Sequence, residues 1–359
     1  MAASPVRVLV AGCGHMGMSH AKAYHTLAGF RIVGVVSRGE KSRRALLDAL
    51  GADYPQYSDY HEALVATSPD AVSINTYPDT HAEYAKAAFA AGCHVFLEKP
   101  LAVTVAEAEE VAAAARAAGK KLVVGYILRV HPTWKRFIET AHGLGRPLVM
   151  RMNLNQQSSG EKWQTHKALM QSMSPIVDCG VHYVDVMCQM TRSRPVRVSA
   201  IGARLSDELV PGMYNYGCLH VTFADGSVGW YEAGWGPMLS ETAFFVKDVV
   251  GPKGSVSITG VREGEAGSDD IEGHTKAAML KLHHAQLTPA GSFARSDEFL
   301  DCAGEPDHDG LCLLEQEMFL DAIRHDRDLT DHVDDAVNSL RIVLAADEAF
   351  RTGTTVTLG

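Results

Sequence analysis

The first third of the chain alternates short apolar runs rich in β-branched residues with Ala-rich segments of helical spacing. Strands are predicted to begin at Val6 and to cover residues 31–36, 71–76, 94–98 and 121–126, with helices over 40–50, 81–91 and 105–118. This alternation is typical of a parallel sheet with helices on both faces.

After Arg129 the runs become longer and alternate with a period of two, as in PLVMRMNLN, VRVSAIGARL, CLHVTFADGSVGWYEAGW and GSVSITG. They predict an open, mostly antiparallel sheet with helices on one face. Two closing helices are predicted over 311–325 and 333–351, the second with a core stripe at Val333, Val337, Leu340, Val343 and Leu344. The fold class is α/β, with one domain over 1–128 and an α/β domain over 129–359, whose C-terminal helix is a candidate to pack back on the first.

Bulk properties narrow the class of protein. A chain of 359 residues exceeds what one core usually holds, which favours two domains. The formal charge of −10 argues against nucleic acid or an anionic membrane surface as the main partner. No apolar stretch approaches a membrane span, the N-terminus lacks a signal-peptide pattern, and the seven cysteines are scattered without C-x-x-C spacing. We therefore expect a cytoplasmic protein with reduced thiols.

A glycine turn follows the first strand directly. The run VRVLVA leads into Gly12-x-Gly14-x-x-Gly17, the order of elements that lets a backbone turn accept a dinucleotide pyrophosphate. Gly12 suits the tight turn, Gly14 close approach of phosphate, and Gly17 close packing of the next helix. The alternative is a strand–turn–helix connection without a ligand; the strand context favours nucleotide binding.

The end of the second strand bears on the choice of cofactor. An acidic residue there would bind the ribose hydroxyls of NAD, but the strand ends in Ser37 and Arg38, and Lys41, Arg43 and Arg44 follow. A hydroxyl and a guanidinium suit a ribose 2′-phosphate, which favours NADP over NAD. Alternatively these are solvated charges at a helix start, and Glu40 could still reach a ribose.

Glu98-Lys99-Pro100 stands at the carboxyl end of a predicted strand, where ligands bind in a doubly wound sheet. Pro100 favours an extended Lys99, so we expect its ammonium to project from the strand tip. A lysine in this position is otherwise simply solvated.

A helix is predicted to begin with Ser174 as N-cap and Pro175 as first residue. Asp178, His182 and Asp185 would then share one face, which suits a helix whose polar side lines a cleft. An Asp-His pair that only stabilises the helix is the alternative, and a metal triad lacks a second histidine nearby.

Residues 262–310 are rich in Gly, Asp, Glu and His and are predicted to leave the sheet, with a short helix over 275–284. The stretch carries His274, His283, His284 and His308 without ligand spacing, so no metal is expected.

Taken together, these motifs resemble those of the Gfo/Idh/MocA family, the relatives of glucose-fructose oxidoreductase and inositol dehydrogenase. The resemblance runs over nearly the whole chain in order: GCGHMG with His20, TYPDTH, Glu98-Lys99-Pro100, Gly125-Tyr126 with Arg129 and Pro132, Asp178-x-Gly180-x-His182-x-x-Asp185, and AADEAFRTGTTVTL. It implies a Rossmann domain followed by an open-sheet α/β domain, and NAD(P)-dependent chemistry at a carbon of a sugar or cyclitol.

The resemblance implies that Lys99, Asp178 and His182 are catalytic. A neutral imidazole can remove a hydroxyl proton as hydride leaves the carbon, and an ammonium can stabilise the developing alkoxide; Lys99 could instead be the proton shuttle. The implied substrate-binding residues are Lys99, Arg129, Trp163, Asp178 and His182. The implied cofactor-binding residues are Gly12, Gly14, His15, Met16, Gly17, Ser37, Arg38, Thr76, Tyr77, His81, Glu98 and Lys99.

Two positions depart from the family pattern. Ser174-Pro175 replaces a common glycine pair, and Tyr77 separates Thr76 from Pro78 where many relatives have a Thr-Pro pair. Trp163 could stack on a pyranose or pin the sheet.

The expected function is an NAD(P)-dependent oxidoreductase acting on a sugar, amino sugar or inositol derivative. An NAD-dependent glycoside hydrolase that uses transient oxidation, and a non-catalytic nucleotide-binding sensor, are the alternatives. The family habit of associating through the open sheet implies a homodimer or homotetramer.

Overall fold

The computed structural model describes residues 4–239, 246–259, 279–302 and 304–359. The chain divides into two compact units, Met1–Val130 with Pro306–Val337, and His131–Glu305 with Asn338–Gly359. Residues 306–337, which the sequence analysis assigns to the second domain, thus group with the first unit.

The first unit is built on a six-stranded sheet, described here in strand order 3-2-1-4-5-6, in which every pairing is parallel. This is the doubly wound order of a dinucleotide-binding fold, as predicted. Its strands are β1 (Val6–Ala11), β2 (Phe30–Val36), β3 (Gln56–Tyr57), β4 (Ala71–Ile74), β5 (His94–Leu97) and β6 (Leu122–Val124).

Six helices belong to this unit: α1 (His15–Thr26), α2 (Glu40–Leu50), α3 (Tyr60–Thr67), α4 (His81–Ala90), α5 (Val105–Ala118) and α10 (His308–Arg324). The predicted bounds of α2 and α5 are confirmed, and local chemistry explains both. Gly51 and Gly119 end these helices in the left-handed conformation, and Thr104 and Glu107 form a reciprocal capping box at the start of α5. The sequence analysis missed β3 and α3.

Aromatic residues join α10 to the sheet of the first unit. The ring of Phe319 stacks on Phe30 at 6.0 Å and lies 6.2 Å from Phe96. Both strand residues are buried beside Val8 and Val10. The core of the first unit therefore includes a helix that the chain supplies more than 170 residues after β6.

The second unit contains a nine-stranded sheet in the order 14-13-12-11-7-10-9-8-15 within the described ranges. Only the pairing of β7 with β10 is parallel there, which confirms a mostly antiparallel sheet. The strands are β7 (Val149–Gln157), β8 (Pro195–Ala203), β9 (Tyr216–Phe223), β10 (Val228–Gly236), β11 (Lys247–Gly251), β12 (Gly254–Thr259), β13 (Met279–His284), β14 (Glu298–Asp301) and β15 (Val356–Thr357).

The helices of this unit are α6 (Pro132–His142), α7 (Gly160–Leu169), α8 (Pro175–Asp178) and α9 (Gly180–Thr191). A Cβ at Gly180 would lie 2.9 Å from the ring of Tyr231, so this glycine lets α9 pack closely on β10. The last helix, α11 (Thr330–Thr352), contributes residues to both units. No helix in the described ranges is long and apolar enough to cross a membrane.

The predicted helix over 275–284 is wrong where it can be checked. Met279–His284 forms strand β13, hydrogen-bonded to β12 on one side and β14 on the other. Pairing on both edges outweighs the helical preference of this Ala-, Lys- and Leu-rich stretch. Positions 275–278 and His274 lie outside the described residues, and both β13 and β14 belong to the sheet from which this region was predicted to depart.

Candidate functional site

The glycine turn after β1 forms an open cradle. Gly12 has a φ of +91°, and a Cβ there would lie 2.4 Å from the carbonyl oxygen of Asn75. A Cβ at Gly17 would lie 1.9 Å from the carbonyl oxygen of Gly12. At Gly14, the exposed N-cap of α1, a Cβ would meet nothing within 4 Å. Because the first amides of a helix lack intrahelical acceptors, this open space fits a dinucleotide pyrophosphate.

The next two residues begin α1 beside this cradle. His15 is exposed and Met16 is half-buried. The ring of His15 lies 5.8 Å from that of His308.

The tip of β2 presents cationic side chains. Arg38 is exposed and Ser37 is half-buried. The guanidinium of Arg43 donates a hydrogen bond to the carbonyl oxygen of Ser37. Glu40, the carboxylate that could have reached a ribose, has its Oε1 2.5 Å from Nη2 of Arg44. In this ion pair the Glu40 carboxylate is partly neutralised by the Arg44 guanidinium.

The segment after β4 places Tyr77 and His81 differently. Tyr77 is 69% exposed, whereas the side chain of His81 is fully buried. Its Nδ1 lies 2.8 Å from the carbonyl oxygen of Pro100 and its Nε2 lies 3.0 Å from that of Thr76. His81 therefore joins two backbone segments, and burial lowers its pKa below the ordinary histidine value.

Glu98 follows β5 directly and has a buried carboxylate. Its Oε1 lies 2.7 Å from Nε2 of His20, and its Oε2 accepts a hydrogen bond of 3.1 Å from the backbone amide of Lys99. A Cβ at Gly125 would lie 3.2 Å from Glu98 Oε1, which explains the glycine in the Gly125-Tyr126 motif. Lys99, the next residue, is half-buried.

Arg129, an expected substrate-binding residue, forms an ion pair within the first unit. Its Nη2 lies 2.9 Å from Oδ2 of Asp335, and the two side chains are only 10% and 11% exposed. The guanidinium carbon also lies 5.9 Å from the centre of the Tyr126 ring. These contacts give Arg129 a structural role beside β6.

In the second unit, Ser174 caps α8 as predicted, accepting a hydrogen bond from the amide of Val177. Its hydroxyl donates to Oδ1 of Asp347 at 2.7 Å, and the phenol of Tyr214 donates to the same oxygen at 2.5 Å. Burial raises the pKa of Asp347. Ser174, which departs from the family's glycine pair, thus anchors α8 to α11.

The predicted single helix through Asp178 and His182 is wrong, because it is interrupted at Cys179. Asp178 ends α8 and is half-buried, while His182 lies in α9 and is 3% exposed. Asp185 is fully buried and accepts a hydrogen bond from Nε2 of Gln189 at 2.9 Å. Asp185 therefore stabilises the helix interior instead of extending a solvent-facing polar stripe.

Trp163 is buried and lies on α7. Its indole nitrogen donates to Oε1 of Glu208 at 3.0 Å, and the ammonium of Lys167 lies 5.5 Å from its ring centre. These contacts support the reading in which the tryptophan pins the local structure.

Three residues near Cys179 were missed by the sequence analysis. The indole nitrogen of Trp235 donates to Gln156 Oε1 at 2.6 Å, and the Cys179 thiol donates to the same oxygen at 3.5 Å. The ring of His166 stacks on Trp235 at 4.4 Å. The alternation of apolar and polar residues in β7 and β10 indicates which of their side chains are buried. It does not indicate which polar atoms pair, because these pairs join residues that are distant in sequence.

Two of the histidines that were considered as metal ligands contact carboxylates instead. His283 Nδ1 lies 2.8 Å from Oδ1 of Asp297, and His284 Nε2 lies 2.7 Å from Oε1 of Glu298. These are cross-strand pairs between β13 and the segment that contains β14.

The doubly wound sheet with its glycine cradle, followed by an open-sheet unit, defines the NAD(P)-binding oxidoreductase class of fold. Residues 6–126 match the model of an oxidoreductase family with an NAD-binding Rossmann fold, and residues 135–257 match the model of the Gfo/Idh/MocA C-terminal domain. The chain belongs to the Gfo/Idh/MocA oxidoreductase family, as its motifs indicated.

Among curated relatives, the inositol 2-dehydrogenase of Burkholderia cenocepacia (strain HI2424) is 33% identical over 187 residues, or 51% of this chain. The match spans about half, 53%, of that relative's length.

Solved dehydrogenase structures share the fold. Scyllo-inositol dehydrogenase from Lactobacillus casei with NAD(H) and scyllo-inositol has a TM-score of 0.77 at 18% identity, covering 98% of this chain and 99% of that one. UDP-N-acetylglucosamine 3-dehydrogenase from Acidithiobacillus ferrooxidans has a TM-score of 0.75 at 23% identity, covering 97% and 98%.

Proposed function

We propose that this protein is an NAD(P)-dependent dehydrogenase or reductase that acts at a CH–OH carbon of a cyclitol or sugar. Family membership and the similarity to inositol 2-dehydrogenases support the reaction class and favour a cyclitol. The observation that carries the proposal is the cradle at Gly14, where open space meets the start of α1.

Bound nicotinamide would supply the hydride acceptor or donor. The chain's own contribution would be proton transfer and charge stabilisation. We assign His182 as the base that takes the hydroxyl proton and Lys99 as the cation that stabilises the alkoxide, or alternatively Lys99 as the proton shuttle. Asp178 would orient Lys99 or His182 and bind a substrate hydroxyl.

Within this proposal the preferred cofactor is NADP. The exposed guanidinium of Arg38 and the hydroxyl of Ser37 can pair with a 2′-phosphate, and the ion pair of Glu40 with Arg44 reduces repulsion. A ribose diol would instead be expected to find a carboxylate acceptor at this strand tip.

We also propose a homodimer or homotetramer that forms through the open face of the nine-stranded sheet. A concave region of about 920 Å³ on this face includes Val149, Val228 and Trp230 among its lining residues. Val149 and Val228, the paired first residues of β7 and β10, are 41% and 39% exposed, so two apolar side chains lie together at this surface. Light scattering at micromolar concentration should give a multiple of the 38.7 kDa chain mass; a monomer would refute the association.

The function is tested by following reduction of NADP⁺ and NAD⁺ at 340 nm with inositols, aldoses, amino sugars and glycosides, with product analysis for each. Stoichiometric reduced cofactor with one polyol class supports the proposal. Cleavage of a glycoside without net reduced cofactor, or no reaction with any class despite measurable cofactor binding, would overturn it.

A further inference from the structure

A buried polar cluster lies between α1 and α10 in the first unit. His20 and Gln316 have no exposed surface, and Glu315 and Glu98 are 3% and 5% exposed. Most of these groups pair with one another, and such buried hydrogen bonds restrict the positions of the side chains that make them. Gln316 Oε1 is buried without a hydrogen-bond partner among the described residues, so the contact of this side chain with His20 is made through its Nε2 amide. Glu98 belongs to this cluster and directly precedes Lys99 in the sequence, so the cluster adjoins Lys99.

Hydrogen bonds connect Gln316 to Lys99 in three steps. Gln316 Nε2 lies 2.9 Å from His20 Nδ1, so the amide N–H donates a hydrogen bond to Nδ1. Because Nδ1 accepts, the ring proton lies on Nε2, which is 2.7 Å from Glu98 Oε1 and donates to it. The other carboxylate oxygen of Glu98 accepts from the backbone amide of Lys99 at 3.1 Å.

We propose that Gln316 is a positioning residue for Lys99, acting through His20 and Glu98. Its amide donor selects the Nε2–H form of His20, and this form holds the carboxylate that fixes the Lys99 backbone. The role of Lys99 in turnover rests on the proposed function, whereas the hydrogen-bond chain does not.

The donor and acceptor roles along these hydrogen bonds depend on the N–H donor of Gln316. If residue 316 offered only an acceptor, the imidazole proton would be drawn to Nδ1, and a neutral ring would leave Nε2 facing the Glu98 carboxylate without a proton. Two acceptors would then face each other in a buried site, which costs more than the loss of one hydrogen bond. The side chain of Glu98 would be expected to move, and the Lys99 amide with it.

The charges around His20 agree with this arrangement. Burial, together with the charge of Glu98, raises the pKa of Glu315 well above its usual value, which favours the uncharged form of this carboxyl group. Burial likewise raises the pKa of Tyr24, which also lies close enough to feel both carboxyl groups. Of the two carboxyl groups, Glu98 is the one that His20 contacts, with Nε2 2.7 Å from Oε1.

A metal ion is the competing interpretation of the same atoms. Ligand atoms of His20, Cys312 and Glu315 lie within 4.8 Å of one another. A neutral imidazole has one lone pair, however, and that of His20 is used by Gln316 while its proton is used by Glu98. The observed contacts thus favour a hydrogen-bond cluster over metal ligation.

The first test is the tautomer of His20, which does not depend on turnover. Long-range ¹H–¹⁵N spectra of histidine-labelled protein, with His20 assigned from the His20→Gln variant, should show the Nε2–H form. Gln316→Glu keeps the size of the side chain but replaces the donor, so the proton should shift to Nδ1 or the ring should become charged. An Nδ1–H form in the unaltered protein, or an unchanged tautomer in Gln316→Glu, would overturn the proposal.

The second test is kinetic. Gln316→Met keeps the packing of an unbranched side chain and should lower kcat about tenfold, with KM for the cofactor changed less than about twofold, because misplaced catalytic groups slow chemistry more than binding. The pH profile of kcat should shift in the same variant. Glu317→Gln alters the exposed neighbour on α10 and serves as the matched control. Equal kcat and pH profiles in Gln316→Met and this control would contradict the proposal.

A further pair of variants tests the same proposal if Gln316→Met folds poorly. His20→Gln retains an amide donor that can reach toward Glu98, whereas His20→Leu has none. His20→Gln should therefore keep more activity. Equal losses of activity in the two variants would count against the proposed hydrogen-bond connection. If the unaltered protein turns over no polyol, the proposed function fails, and the pH dependence of Lys99 acylation, followed by mass spectrometry, replaces kcat as the readout. Stoichiometric zinc in the purified protein would support the metal interpretation and overturn ours.

Discussion

Nδ1 of His81 lies 2.8 Å from the carbonyl oxygen of Pro100, so helix α4 holds the loop that follows Lys99. The other ring nitrogen faces the carbonyl oxygen of Thr76 at 3.0 Å. Because burial lowers the pKa of His81, the neutral ring is favoured near pH 7, and a neutral ring donates only one hydrogen bond at a time. The histidine thus sits between two competing acceptors behind the candidate catalytic loop.

His81→Ala should reduce the free energy of unfolding by roughly 1–3 kcal/mol, since it removes a buried donor from two carbonyls. It should also lower kcat more than it raises KM for the cofactor, because the Lys99 loop loses support. Urea denaturation and steady-state kinetics measure the two effects. His61→Ala, at an exposed histidine paired with Glu83, is the control and should change stability by less than about 0.5 kcal/mol. Equal stability of the two variants would remove the structural role of His81.

Lys99→Ala and His182→Ala should each lower turnover at least about 100-fold, because each removes proton transfer or charge stabilisation in the transition state. Cofactor binding, measured by fluorescence titration, should be retained. Lys135→Ala, at an exposed lysine on α6, is the control. Near-normal rates in both active-site variants would end the catalytic assignment.

The variants Gly14→Ala and Gly17→Ala distinguish a loss of space for the cofactor from a loss of packing in the fold. The Cβ at position 14 enters open space, so this variant should melt at the normal temperature but bind NAD(P) at least about tenfold more weakly, because its methyl group occupies room for the pyrophosphate. The Cβ at position 17 would meet the Gly12 carbonyl, so that variant should lose stability. Unchanged cofactor affinity in Gly14→Ala, measured by calorimetry, would argue against the cradle.

Arg38→Ala should weaken NADP binding by at least about tenfold while leaving NAD affinity nearly unchanged, because only NADP carries the 2′-phosphate. Arg44→Ala is the matched control, since Arg44 is ion-paired with Glu40. Dissociation constants for both cofactors measure the difference. Equal losses for the two cofactors would place Arg38 away from the 2′-phosphate.

His332 should make the first unit sensitive to acid. Its Nε2 accepts a hydrogen bond of 2.8 Å from the amide of Val124, and burial, assisted by the charge of Arg129, lowers its pKa well below 6.5. Below pH 6.5 the unfolded chain binds a proton at His332 that the folded state does not bind. The contribution of His332 to the free energy of unfolding is therefore fully present above pH 6.5 and decreases as the pH falls below it. Each pH unit below that point costs about 1.4 kcal/mol until the folded-state pKa is reached.

The variant His332→Gln keeps an acceptor for Val124 but does not titrate. Its free energy of unfolding should fall less steeply between pH 6.5 and 5 than that of the unaltered protein, as measured by urea denaturation at each pH. The same slope in both proteins would show that His332 is not the group responsible. His325→Gln, at an exposed histidine paired with Asp321, is the control.

Much of the first unit could be predicted because its signals are local. The ends of α2 and α5 are set by glycines and a capping box within a few residues, and the glycine turn follows β1 without interruption. The family was recognisable for the same reason, since its motifs are short and occur in a fixed order.

The remaining features depend on contacts between distant residues. Gln316 meets His20 across 296 positions, and strand β13 exists because β12 and β14 pair with it. The indole of Trp163 is buried against Glu208 rather than open for stacking on a sugar, which no local pattern indicates. Roles for Lys99, Asp178 and His182 stay predictions until they are measured.

The first unit is discontinuous in sequence, and this bears on the order in which it can fold. A nascent chain that has reached Val130 has made all six strands of the doubly wound sheet, but not α10, whose Phe319 packs against Phe30. That apolar surface remains uncovered while about half of the protein is still being synthesised, a period in which exposed core residues favour misassembly. The nucleotide-binding half of this enzyme fold is therefore begun first and completed only when α10 has emerged from the ribosome.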